Sequence, residues 1–285
     1  GCALALAMLA VPFHLKLYGI PIAWAVQGAL FVYLGTRLDR WMARLGGTVA
    51  CVLATGSLLN TMGGLDRLAL HTAAFTPLFN RPFMSWMCVV AAIAAAAHLL
   101  HRQQRESYDR VMAGGLGLLA FALTCLVLTL EVHAYWRFDY APAPNVPFRS
   151  AYLNGSELVL WAAIPAILGL VLAKRRDASL AWLMYACYGI GVAFFVAALP
   201  SRSSHDSHWL GVNPAALPGI AFLCALYLGA QISRFLGQKL PGTVMEVLGH
   251  ALVALLIYAE FWRWGAYSQW VSPRMAIGMI SGAWA

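Results

Sequence analysis

Apolar residues run along this chain in long unbroken stretches that are separated by shorter polar segments. Eight stretches have the length of a membrane-spanning helix, at residues 20–35, 41–62, 83–100, 111–133, 157–173, 178–199, 215–236 and 243–262. None of them alternates apolar and polar residues as a half-buried strand or a barrel strand does. The pattern therefore predicts an all-α fold, a polytopic bundle of transmembrane helices.

Two shorter apolar runs, at residues 1–12 and 272–285, stand at the ends of the chain. A complete span needs about 20 residues, so each run predicts a partial transmembrane helix. The first run lacks the basic start and the small-residue cleavage site of a signal peptide. We therefore expect the chain to be a piece of a longer protein, with the remainder of that protein as a partner.

The composition excludes several classes of protein. Hydrophobic residues make up 61% of the 285 residues and charged residues only 11%, whereas a soluble domain has about 25% charged residues. This excludes an ordinary soluble enzyme, a disordered chain and a nucleic-acid-binding module. The six cysteines stand singly inside apolar runs, which is typical of buried thiols. We expect membrane lipids as partners, no nucleic acid, no metal and no cofactor.

The segments between the spans alternate in character and so predict a topology. One set is short and basic, at residues 36–40, 101–110, 174–177 and 237–241. The other set is longer and richer in aromatic, His, Asn and Asp residues, at residues 63–82, 134–156, 200–214 and 265–273. Because basic loops stay on the cytoplasmic side, the short loops are predicted to be cytoplasmic and the long loops to face outward.

The chain also repeats itself, which predicts two four-helix units at residues 20–137 and 157–263. An outer loop rich in aromatic and proline residues, at 138–156, separates them. Asn80 precedes the third span of the first unit, and Asn213 stands at the matching place in the second. Glu131 and Glu260 likewise close the fourth span of each unit. Since four helices separate equivalent positions, both units should enter the membrane in the same orientation.

Four segments carry a resemblance to a known family. They are residues 22–29 (IAWAVQGA), residues 35–38 (GTRL), the loop that contains Asn80, and residues 130–133 (LEVH). Together they resemble the very long bacterial membrane proteins grouped as domain of unknown function 2339. One departure is Gln27, where the family pattern leads us to expect Glu. The resemblance implies a multi-pass protein of the bacterial inner membrane, with further helices beyond this chain and no established activity.

Two kinds of polar position stand out at the span ends. Asn80 and Asn213 each come just before a helix that has a proline in its first turn, which predicts N-caps. The functional alternative is an anion site at these helix N-termini, with Arg81 nearby. Glu131 and Glu260 end apolar helices, where a carboxylate needs a partner. We expect these two to pair with Arg137 and Arg263, respectively, or to form a ligand site with them.

The sequence supports two functional hypotheses from different classes. The first is a transport or scaffold component of the bacterial cell envelope, although only Gln27, His98 and His250 come near mid-membrane depth. The alternative is a membrane-embedded transferase that acts on a lipid-linked glycan at the outer face, with a saccharide or lipid-linked ligand. Its candidate residues share that face: Asp66, Arg67, His71, Glu131, His133, Arg137, Asp139, Glu157, Asp206 and Arg263.

Overall fold

The structure, a computed structural model, describes residues 19–69, 78–103, 106–138, 149–199 and 216–267. These residues form eight α-helices and no strand: α1 Gly19–Arg37, α2 Trp41–Ala69, α3 Arg81–Gln103, α4 Ser107–Phe138, α5 Arg149–Arg175, α6 Ala181–Ala198, α7 Ala216–Phe235 and α8 Lys239–Tyr267. All eight helices are long and apolar enough to cross a membrane. The predicted all-α polytopic fold is confirmed, and the chain is a multi-pass membrane protein.

Several helices extend beyond the apolar runs that predicted them. Residues 149–156, which the apolar pattern left in the outer loop, form the first two turns of α5. Helices α2 and α4 likewise continue to Ala69 and Phe138. An apolar run marks only the part of a helix that lies in the hydrocarbon layer. It does not predict polar helical turns outside that layer. The rest of the loop, at 139–148, and the predicted partial helices at 1–12 and 272–285 lie outside the described residues.

The helices belong to two compact units, which divide between residues 139 and 140. In the first unit α1 packs against α2 and α3, and α3 packs against α4. In the second unit α5 packs against α6 and α7, and α7 packs against α8. The principal contacts thus follow the same order in both units: first helix with second and third, third with fourth.

The first unit is held by a close approach of α1 to α2. A Cβ atom placed on Gly47 of α2 would lie 2.5 Å from the carbonyl oxygen of Gly28 on α1. No larger side chain fits between backbones at this separation, so both glycines are needed for the contact. Trp86 and Ile93 of α3 complete a core that is closed to solvent.

The core of the second unit is built around Phe222 of α7, which is completely buried. The ring centroid of Phe195 on α6 lies 5.8 Å from that of Phe222, and the centroid of Tyr188 lies 6.4 Å away. Tyr188 satisfies its hydroxyl group by donating a hydrogen bond of 2.6 Å to the carbonyl oxygen of Ala225. Each unit therefore has an apolar core of its own.

Three of the short connections stop the preceding helix in the same way. Asp39, Arg176 and Gly237 follow α1, α5 and α7 in the left-handed conformation, with φ of 52°, 53° and 79°. The next N–H in each case bonds to the carbonyl oxygen five residues back, at 2.9, 3.1 and 2.8 Å. This pattern caps the last carbonyl groups of a helix. After α5, the backbone N–H of Ser179 also bonds to Asp177 and holds the pKa of that carboxyl below its usual range.

Candidate functional site

The predicted cap at Asn80 is present at the end of the first unit that carries the long connections. The Oδ1 atom of Asn80 accepts a hydrogen bond of 2.8 Å from the backbone N–H of Phe83 in the first turn of α3. Pro82, the residue before Phe83, has no N–H to satisfy, which suits it to a first turn. The prediction that Asn80 is an N-cap is confirmed.

Glu131 is held by the same asparagine. Its Oε1 atom accepts a hydrogen bond of 2.7 Å from the Nδ2 atom of Asn80 and one of 2.8 Å from the backbone N–H of Leu78. Leu78 adopts a left-handed conformation with φ of 65°, which is unfavourable for a residue with a side chain. The carboxylate of Glu131 therefore joins the end of α4 to the turn that starts α3.

The other predicted site residues are distributed as follows. His133 is exposed on α4, while Glu157 and Glu260 are buried in α5 and α8. The backbones of five more belong to described helices, but their side chains lie outside the described part of the chain: Asp66, Arg67, Arg81, Arg137 and Arg263. Four lie wholly outside it: His71, Asp139, Asp206 and Asn213. Pairing of Glu131 with Arg137 and of Glu260 with Arg263 therefore stays a prediction, as does the cap at Asn213.

A buried ion pair lies at the opposite end of the first unit, near the short connections. The Nη1 atom of Arg44 on α2 is 3.1 Å from the Oδ2 atom of Asp109 on α4, and each residue is only 1% exposed. The Nη2 atom of Arg44 donates a hydrogen bond of 2.9 Å to the hydroxyl of Tyr108. Asp109 also accepts a 3.4 Å bond from the N–H of Glu106, so it caps α4 as well. This network ties the starts of α2 and α4 together.

Sequence reasoning missed this pair because Arg44 was placed inside the apolar run 41–62 without a partner and Asp109 was placed in the short connection 101–110. The available signal was the position of Arg44 inside the apolar run 41–62. An arginine inside such a run needs a partner, because a lone charge is costly in hydrocarbon. Asp109 was the acidic residue available near the end of the neighbouring span.

The second unit carries a row of polar side chains, which we call the α7–α8 polar face. It consists of Tyr227, Gln231 and Arg234 on α7 and Glu246 and His250 on α8. Spacings of three and four residues place the members from each helix on one side of that helix. Arg234 pairs through Nη2 with the Oε2 atom of Glu246, which links the two helices.

His250 continues this face towards the interior of the membrane. Its ring stands edge-on to that of Tyr227, with centroids 5.5 Å apart and planes at 84°. The Nδ1 atom of His250 lies 2.7 Å from the backbone oxygen of Glu246. A Cβ atom on Gly249 would lie 3.0 Å from the Cζ atom of Tyr227. Because glycine has no side chain, the Tyr227 ring can pack directly against α8 at this position.

The depth of these residues distinguishes them from ordinary helix-end charges. His250 lies at the centre of the apolar span Lys239–Phe261, about 16 Å from either end at the rise of an α-helix. Glu246 lies about 10 Å from the start of that span by the same measure. The α7–α8 polar face thus runs from the short connection to the middle of the span. Its far half, beyond His250, is mainly apolar.

Gln27 and His98, the other polar residues predicted near mid-membrane depth, differ from this arrangement. Gln27 lies near the middle of α1, and its buried Oε1 atom has no hydrogen-bond partner in the described part of the chain. His98 is exposed on α3, near the end of the helix. Neither is joined to a continuous polar row.

Comparison of the chain with models of protein families, with curated proteins and with solved structures finds no match. The resemblance to domain of unknown function 2339 therefore stays a prediction. Function has to be argued from the chemistry of the sites.

Proposed function

We propose that this chain is a transport component of the bacterial inner membrane, and that protons move along its α7–α8 polar face. The observation that carries the proposal is the row of ionisable side chains formed by the Arg234–Glu246 pair and, one helical turn further, His250 at the centre of a span. Ionisable residues at such depth mark ion pathways and proton relays in membrane proteins. The short basic loops are cytoplasmic in this proposal, by the positive-inside rule.

Exposure of this face indicates that it contacts water or protein, and not lipid. Glu246 retains 32% of its side-chain exposure, Arg234 retains 39%, and His250 is exposed. Uncompensated polar groups in hydrocarbon cost several kcal/mol each. Leu255 lies about 140° around α8 from His250. It is 43% exposed and supplies the apolar surface that lipid requires. Helix α8 thus presents two surfaces of opposite character within its apolar span.

The residue types suit proton movement. Imidazole titrates near neutral pH and can both accept and donate a proton. Tyr227 places a phenol ring against His250, and Glu246 lies one helical turn away. Arg234 offsets the charge of Glu246, so the row carries no net charge when His250 is neutral. A proton that arrives on His250 changes the charge at the deepest point of the row.

The scaffold alternative predicts that a protein segment covers the same face and keeps water out. The transferase alternative relies on the end of the first unit that carries the long connections, where Glu131 lies. There Glu131 accepts two hydrogen bonds and joins two helices, which favours a structural role for that carboxylate. We therefore rank transport above both alternatives.

Cysteine accessibility tests whether water reaches the face. On a cysteine-free background in membrane vesicles, His250→Cys should react with a charged, membrane-impermeant thiosulfonate, because the proposal places it in a water-filled path. Leu255→Cys, which lies about 140° around α8 from His250 and is exposed within the same apolar span, is the matched control and should not react. If neither variant reacts from either side, the face is covered and the scaffold alternative replaces the transport proposal.

A further inference from the structure

A cavity of about 570 Å³ opens between the starts of α2 and α4 in the first unit. It is lined by Trp41 and Leu45 from α2, by Tyr108, Val111 and Met112 from α4, and by Glu106, which precedes α4. Most of its wall is apolar or aromatic, and Val111 is 74% exposed. The cavity lies beside the Arg44–Asp109 pair but is lined by other residues, and it belongs to a different unit from the α7–α8 polar face.

The charge of the cavity wall itself favours a cation. Among the described residues that line it, Glu106 is the charged one. Arg44, the nearest buried cation, is already neutralised by Asp109 at 3.1 Å. Tyr108 lies between the pair and the cavity, since its hydroxyl accepts a hydrogen bond from Arg44 and its side chain lines the cavity together with Glu106. The carboxylate of Glu106, which shares the cavity wall with the rings of Trp41 and Tyr108, is therefore the charged group available to an incoming ligand.

A carboxylate beside aromatic rings is the chemistry that recognises an ammonium group. The apolar wall continues from Leu45 to Val111, both of which are exposed on membrane-spanning helices. The cavity also stands at the end of those spans, at the depth of lipid headgroups. We propose that it binds a membrane lipid with a primary ammonium headgroup. The ammonium lies against Glu106, and the acyl chain lies along Leu45 and Val111.

This inference stands independently of the transport proposal, because none of its residues belongs to the α7–α8 polar face. The test uses the purified full chain in mixed bilayer discs that contain phosphatidylethanolamine and phosphatidylglycerol in equal amounts. Native mass spectrometry then counts the lipids that stay bound after release. The wild-type protein should retain phosphatidylethanolamine over phosphatidylglycerol by about two- to fivefold, the effect of one exposed ion pair.

Glu106→Gln is the diagnostic variant, because it removes the charge and keeps the size and polarity of the side chain. Its preference for phosphatidylethanolamine should fall to near unity. Asp177→Asn, which removes an exposed carboxylate from a short connection of the second unit, should keep the wild-type preference. Size-exclusion and helix-content measurements confirm that the variants are folded. Equal retention of both lipids by the wild type, stronger retention of phosphatidylglycerol, or an unchanged preference in Glu106→Gln overturns the inference.

Discussion

The side chain of Asn80 makes two hydrogen bonds at the start of α3, one within the helix and one to a neighbouring helix. Its oxygen caps the helix through Phe83, while its amide nitrogen donates to Glu131 on α4. A cap contributes about 1 kcal/mol, and a hydrogen bond to a charged group about 1.5–3 kcal/mol. The two contributions can be separated by substitution, because only the amide side chain supplies both an acceptor and an N–H donor in this geometry.

We expect Asn80→Ala to reduce the stability of the first unit by about 2–4 kcal/mol, since it removes both hydrogen bonds. Asn80→Ser should lose less, because serine also caps a helix. Thermal unfolding in detergent, followed by helix content, measures the difference. Equal melting temperatures for wild type and both variants would show that the contact to Glu131 does not hold the two helices.

The buried pair of Arg44 and Asp109 makes a sharper prediction. Asp109→Ala leaves buried Arg44 with only the exposed carboxylate of Asp39, 3.8 Å away, and we expect it to cost about 3 kcal/mol, the lower end of the range for a broken buried pair. The double variant Arg44→Met with Asp109→Leu removes both charges and should recover most of that loss. Folded yield and melting temperature provide the measurement. A double variant no more stable than Asp109→Ala alone would contradict the account of this pair.

How much of these residues' roles could be predicted differs from case to case. The cap at Asn80 was predictable, because asparagine two positions before proline at a helix start is a local pattern. Its bond to Glu131 was not, because it depends on how α3 and α4 meet, 51 residues apart in sequence. The predicted partner of Glu131 was Arg137, chosen by proximity in sequence. Arg44 and Asp109, 65 residues apart, were missed for the same reason.

At the scale of helices, continuous apolarity predicted all eight elements but not their ends. The hydropathy pattern does not distinguish polar helical turns, such as residues 149–156 of α5, from a loop, because such turns lie outside the hydrocarbon layer. The pattern also did not predict which helices pack against each other. The approach of α1 to α2 depends on Gly28 and Gly47 facing each other, and a pattern of single-helix apolarity carries no information about which glycines meet.

This contact predicts a clear contrast between two glycines of the same helix. Gly47→Ala should lower the melting temperature in detergent, because its new methyl group would lie 2.5 Å from the carbonyl oxygen of Gly28. Gly56→Ala, also on α2, meets nothing within 4 Å and should leave the melting temperature unchanged or slightly higher. The reverse order, with Gly56→Ala the more damaging, would show that α1 and α2 do not pack through Gly47.

At the scale of the molecule, both units pack their four helices in the same order. The internal repeat predicted from Asn80, Glu131 and their counterparts stays a prediction. The polar groups within the units are different, however. The first unit has the Arg44–Asp109 pair close to a helix start, whereas the second has a polar face that extends to the middle of a span. If the units are related, their polar sites have diverged within a shared packing arrangement.

Proton flux is the measurement that tests the central claim most directly. The purified chain is reconstituted into vesicles that contain a trapped pH-sensitive dye, and a potassium gradient with valinomycin drives protons inward. We predict that wild-type vesicles acidify faster than protein-free vesicles, because the polar face brings protons to His250 and leaves only the far half of the span to cross. His250→Leu should return the rate to that of lipid alone, whereas Leu255→Ala, on the apolar side of α8, should keep the wild-type rate. Wild-type vesicles that acidify no faster than protein-free vesicles, or a His250→Leu variant as fast as wild type, would contradict proton movement along the α7–α8 polar face.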